Sequence, residues 1–218
     1  DFLNPFRKLR IRFKEPYVLP TVMTCNEVKE ILKYLYKLRA DNPDTGDYAY
    51  KAQTRDIAVV ELLFATGIRV SELCELSCDA VDLKQATIKV FGKGSKERVI
   101  QICSVEVLKI LRQYQRLFAP SECFFINRLG NRLSSQSVRL LIKRCREETG
   151  IGKKITPHTF RHTFATLLLE EDVDIKYIQN LLGHSSITTT QIYTHVNMNK
   201  QKKILSSKHP RKKMEMEE

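Results

Sequence analysis

The stretch TPHTFRHTFATLLLE, residues 156–170, holds a dense set of reactive side chains. At about 100° per residue, His158, Arg161, His162 and Ala165 share one helix face, and Phe160, Phe164 and Leu167 gather on the other. The pattern predicts a helix that buries its phenylalanines and holds the H-x-x-R pair together on a separate surface. Thr156 before Pro157 is an N-cap followed by proline at the first helical position, which places the pair at the helix start. Free N–H groups and the helix dipole favour an anion there, and a planar arginine fork suits phosphate oxygens. A polar face with a hydrogen-bonded histidine is the ordinary alternative.

Other stretches add to this set. In ATGIRVSEL, Arg69 follows a glycine turn between two expected helices, and Glu72 stands three residues on. The two are either a surface ion pair or a second phosphate clamp with Glu72 orienting the arginine. In GKGSKER, Lys93 lies between two glycines at the tip of an expected hairpin. A tip lysine often serves only solubility, but these glycines would also allow close approach to a backbone or groove. Finally, LLGHSSITTTQIYTHV, residues 181–196, sets Tyr193 between His184 and His195 after three consecutive threonines. Taken alone, it reads as an amphipathic tyrosine docking a terminal helix.

Caps, glycines and apolar periodicity predict the elements that must position these groups. Thr24 with Glu27 is a capping box opening a helix to about Leu38, after which RADNPDTGDYAYK reads as a polar loop. Helices are expected at about 54–65, stopped by Gly67, and at about 70–76. ATIKVFGKGSKERVIQI gives two β-rich runs around Gly92 to Ser95, a hairpin signal. Helices follow near 104–118 and 135–149, the second closed by Gly150, with CFFIN and a Gly130–Asn131 turn between them. The helix opened at Thr156 runs to about Leu169, and Asp174 starts another that Gly183 ends. The expected class is α+β, mainly α-helical with one small antiparallel β-sheet.

Composition narrows the partners. Lys and Arg total 37 against 25 acidic residues, and a net charge of +12 favours a polyanion, most often nucleic acid. No apolar run approaches the roughly 18–20 residues of a membrane span, and no signal peptide opens the sequence. The six cysteines form no C-x-x-C pair and no cysteine–histidine cluster with zinc spacing, so no metal is expected. They read as reduced, mostly buried thiols of a cytoplasmic protein. DFLNPFRKLR lacks an initiator methionine and reads as an interdomain linker of a longer chain. Its continuation RKLRIRFK alternates basic and apolar residues, as a strand or a segment lying on a phosphate backbone would. KHPRKKMEMEE reads as a charged, flexible tail.

Each signal is weak by itself, but their order is specific. Arg69, Lys93, H-x-x-R at 158 and 161, L-G-H ending at 184 and a tyrosine nine residues later resemble the tyrosine recombinases, the phage-integrase-type and Xer-like enzymes. The resemblance spans nearly the whole chain, and its wording is similar to bacterial integrases of phages and mobile elements. It implies the catalytic-domain fold of that family over residues 21–205, with 1–20 as a basic linker and 206–218 as the tail. The family's N-terminal helical DNA-binding domain would be absent from this fragment.

The resemblance also implies roles. Tyr193 would attack the scissile phosphorus, giving a 3′-phosphotyrosine and a 5′-hydroxyl, with His158 helping to remove the phenol proton. Arg69, Arg161 and His184 would hold the phosphate, Lys93 would protonate the departing oxygen, and Glu72 would support Arg69. No cofactor, metal or ATP is implied. The implied partner is double-stranded DNA at a specific site, bound by a homotetramer in the synaptic complex, with accessory DNA-bending or excision factors and a monomeric isolated fragment. DNA relaxation of the type IB topoisomerase kind, and a DNA-binding scaffold without strand exchange, are the alternatives. His162 and His195 carry no assigned role and read as structural.

Overall fold

The computed structural model of the chain describes residues 20–91, 97–118 and 121–183. Among these the order is α1 (Cys25–Ala40), α2 (Tyr48–Thr66), α3 (Val70–Cys74), a 3-10 turn (Cys78–Ala80), β1 (Val81–Asp82), β2 (Thr87–Phe91), β3 (Glu97–Gln101), α4 (Val105–Leu117), α5 (Ser135–Glu148), α6 (Pro157–Glu170) and α7 (Ile175–Leu182). The strands make one antiparallel sheet in the order β1-β2-β3, with Ile88 facing both Val81 and Ile100. The chain thus adopts the expected α+β class, mostly helical with a small antiparallel sheet. None of the described helices is long and apolar enough to cross a membrane.

Helix α2 runs through the middle, packed by α1, α4 and α6. Every residue from Ile57 to Leu63 is buried, as befits a helix apolar nearly all round. Glu61 interrupts that run, and the Tyr36 hydroxyl donates to its Oε1 at 3.0 Å. Tyr114 of α4 anchors the far side, its ring within 4.7–5.6 Å of Phe118, Phe124 and Phe125 and its hydroxyl accepting from the Ile126 N–H. The N-terminal cap of α1 forms as expected, with Glu27 and Thr24 exchanging bonds. Lys153 pins this corner by bonding Glu27 at 2.8 Å and the Val22 carbonyl at 2.9 Å.

Several expectations need correction. Helix α2 begins at Tyr48, so the end of the supposed polar loop is helical. Tertiary contacts stabilise that turn: Arg128 lies over the Tyr48 ring, Arg39 over Tyr50, and Gln113 donates to the Tyr50 hydroxyl at 2.7 Å. Helix α3 stops at Cys74 because Leu76 and Ser77 straighten to pair with the CFFIN segment, Leu76 accepting from the Phe124 N–H at 2.8 Å. Strand β1 is an addition of two residues. Of the six cysteines, all unpaired, only Cys74 and Cys145 are buried, while Cys25 and Cys103 are exposed. The expectation of mostly buried thiols therefore fails, because Cys25 starts α1 on its outer side and Cys103 lies in the β3–α4 connection.

Gly67 is where α2, α6 and α7 meet. It ends α2 in the left-handed region at φ 59°, and a Cβ there would lie 2.7 Å from the Phe164 ring and 2.8 Å from Leu182. Gly67→Ala is expected to destabilise the fold by roughly 2–4 kcal/mol, combining backbone strain with overpacking. Urea unfolding of the two proteins measures this, and equal midpoints would refute the packing argument.

Candidate active site

Arg69 is the N-cap of α3, held extended just after the Gly67 turn. Glu72, in the first turn, reaches back: Oε2 accepts from the Arg69 N–H at 3.0 Å and Oε1 from Arg69 Nη1 at 2.7 Å. The same carboxylate takes both arms of Arg98 from β3, at 2.9 and 2.8 Å. Glu72 is only 6% exposed. Burial alone would raise its pKa, but the bonds from Arg98 and Arg69 outweigh it and hold the carboxyl down to about 2. Because this lies below the unfolded value, the pair stabilises the fold above the ordinary carboxylate range. That contribution fades only as pH falls towards about 2. The remaining arm of Arg69, Nη2, crosses to the Gly183 carbonyl at 2.8 Å.

The first turn of α6 is capped by Thr156 and Thr159, each accepting from the other's backbone N–H, with Pro157 between them. This occupies the Thr159 N–H, so the helix start offers an anion fewer donors than the sequence suggested. Arg161 also departs from expectation. It does not stand on an open face but is 4% exposed, its Nη1 donating to the Gly67 carbonyl at 2.7 Å and Nη2 to the Leu182 carbonyl at 2.6 Å. The cause is α7, whose Ile178 and Leu182 pack on Ala165 and cover that side of α6. The carbonyl end of α7 carries the negative end of its dipole and suits a guanidinium.

His158 keeps much of its surface open to solvent, yet the surrounding protein removes enough water to lower its pKa. The positive charges of Arg161, Arg139 and Arg69 lower it further. His162, more enclosed, is lowered by burial and then by His158 and Arg161. Both rings therefore favour the neutral form at pH 7.

Arg69 and Arg161 thus converge on two successive carbonyls, those of Gly183 and Leu182, immediately before His184 in sequence. His158 stands close enough to feel both charges. Lys93, His184, Tyr193 and His195 lie outside the described residues, as do the linker before residue 20 and the tail. Sequence reasoning missed Arg98. Its signal was an arginine on the inward-facing side of an amphipathic strand, in register with Val90 and two residues from buried Ile100.

The phage integrase family profile matches residues 21–200. This chain belongs to the phage integrase family. Among phage integrase relatives, the tyrosine recombinase of Agathobacter rectalis is 50% identical over 213 residues, covering 96% of this chain and 69% of that protein. Tyrosine recombinase XerC of Thermodesulfovibrio yellowstonii is 44% identical over 165 residues, 72% of this chain and 55% of its own. XerD of Staphylococcus saprophyticus is 38% identical over 200 residues, covering 88% of this chain and 64% of XerD. The crystal structure of XerA recombinase superimposes with a TM-score of 0.71 at 32% identity, over 88% of this chain and 67% of XerA. The XerH site-specific recombinase, in a post-cleavage complex with palindromic difH substrate, gives 0.73 at 25% identity, over 87% of this chain and 54% of XerH. This phage integrase chain therefore spans between about half and somewhat over two thirds of the proteins it matches.

Proposed function

We propose that this chain is the catalytic part of a site-specific DNA recombinase that cuts and rejoins strands through a phosphotyrosine intermediate. The observation that carries the reading is the convergence of Arg69 and Arg161 beside a neutral His158, at the end of the helix leading to His184. The names of the relatives and the substrate-bound XerH complex point the same way. In this reading Tyr193 attacks the scissile phosphorus, and the bond from phosphorus to the 5′-oxygen breaks. The phenol, with an ordinary pKa of about 10, gives its proton to His158, and Lys93 supplies a proton to the departing 5′-oxygen. Arg69, Arg161 and His184 stabilise the charge that builds on the non-bridging oxygens. The phosphodiester bond is conserved in the phosphotyrosine, so a new 5′-hydroxyl can reseal the strand without ATP, metal or cofactor.

Residues 21–205 serve as the catalytic domain, with 1–20 linking to a further DNA-binding domain and 206–218 as a tail. The partner is duplex DNA in the cytoplasm, at a specific site of a mobile element that the enzyme integrates or excises. Four copies act together in the synaptic complex, with accessory DNA-bending or excision factors assisting.

The test is covalent capture. A pool of nicked duplexes of randomised sequence is incubated with the protein, SDS-resistant adducts are isolated, and the captured sequences supply a defined substrate. Because His158 is held below its ordinary value, it stays an unprotonated base to lower pH than a free imidazole. The capture rate should accordingly fall only as pH drops through a midpoint below about 6.5. Absence of adduct from the whole pool would defeat the proposal, and an acid limb centred at or above 6.5 would remove His158 as the base.

A further inference from the structure

Arg98 has no part in the roles assigned above, yet it joins three pieces of the site. Both its arms bond Glu72, which in turn holds Arg69. Its side chain packs closely against Gly183: a Cβ on that residue would come 2.9 Å from Nη1 and 3.2 Å from both Cδ and Cζ. It is the second residue of β3, paired with Val90 of β2. Its buried Nε has no hydrogen-bond partner among the described residues, where the bidentate bond to Glu72 and packing on Gly183 hold the side chain.

From this geometry we infer that Arg98 is a positioning residue for strand cleavage: it fixes the Glu72 carboxylate so that Arg69 is aimed at the phosphate. The inference rests on the recombinase reading. One carboxylate between two guanidinium groups leaves a net positive charge, so the arrangement orients Arg69 without cancelling the charge a phosphate needs. A protonated or rotated Glu72 would lose the acceptor that squares Arg69 across to Gly183. Arg98 prevents both.

A merely structural Arg98 would cost the same at every pH, whereas a positioning Arg98 would not. Without it, Glu72 keeps its burial and Arg69 but loses the bonds that most depress its pKa, so the carboxyl titrates at higher pH. Among the described residues, Glu75 of the α3 end and Lys89 of β2 line the same small cavity as Glu72, and neither is altered. His158 titrates in parent and variant alike, so the ratio of the two rates isolates Glu72. Arg98→Leu is expected to slow capture of the selected nicked duplex about tenfold near pH 8.5, the loss deepening only as pH falls towards the ordinary carboxylate range, with duplex affinity changed less than about threefold. Arg98→Lys keeps the charge and should restore part of the rate and flatten the ratio. In a Glu72→Gln background, where nothing titrates at that position, the Arg98→Leu ratio should be independent of pH. If Arg98→Leu fails to fold, Arg98→Lys carries the test, its loss growing towards low pH. A parent that captures no duplex overturns the recombinase reading and this inference with it. A capturing parent with a pH-independent ratio for both Arg98 variants overturns the role of Arg98 alone.

Discussion

Tyr193→Phe should abolish the SDS-resistant adduct while leaving affinity for the captured duplex within about threefold, since the ring is kept and only the attacking oxygen is removed. The expected loss is at least about 10⁴-fold, because in this reading the phenol oxygen is itself the attacking atom. His184 and the arginines bound at Gly183 and Leu182 would still hold the phosphate, which is why binding survives. Gel-resolved capture and filter binding on the same duplex separate the two quantities. An adduct persisting in the Phe variant would mean that the nucleophile lies elsewhere.

Arg161→Ala should be damaging twice over. The fork is nearly buried and serves the carbonyls of Gly67 and Leu182, so truncation leaves two acceptors without their donor. At about 1–3 kcal/mol for each acceptor, partly relieved by entering water, the fold should lose roughly 2–4 kcal/mol. Capture should slow by about 10²–10³-fold beyond any unfolding, the usual cost of removing a donor aimed at developing charge. Arg161→Lys restores the charge but not the flat two-armed span, so stability should recover in part and the rate much less. Urea unfolding combined with capture under conditions where each variant is folded distinguishes the effects. A stable Arg161→Ala protein with parental capture would disprove both claims.

Much of the frame could be read from single residues. Thr24 with Glu27, Thr156 with Pro157, and Gly67 and Gly183 at helix ends have local physical causes, so sequence suffices for them. The antiparallel pairing of β2 with β3 was legible from two β-rich runs, while the expected turn at Gly92 to Ser95 lies outside the described residues. What sequence could not supply was set by distant partners. Tyr48 is helical because Arg128 lies over its ring, and Leu76 is extended because Phe124 pairs with it. Within the site, periodicity placed Arg161 beside His158 correctly but put it on a surface. Only the packing of α7 over Ala165 shows that this face is an inner wall. Arg98 was invisible for a related reason, since its partner Glu72 is 26 residues away and the pair forms only once sheet and helix dock.

In the recombinase reading, the carbonyls that occupy Arg69 and Arg161 have a thermodynamic consequence for the encounter with DNA. A free arginine samples many rotamers, and freezing one costs up to about 2 kcal/mol. Here the Gly183 and Leu182 oxygens already select a single rotamer for each side chain, so that entropy is lost when the chain folds and not when the duplex arrives. A carbonyl, being uncharged, does this without acting as a counterion, and a phosphate oxygen can compete for the same N–H groups or share them. The chain thus meets its substrate with two cations already immobilised.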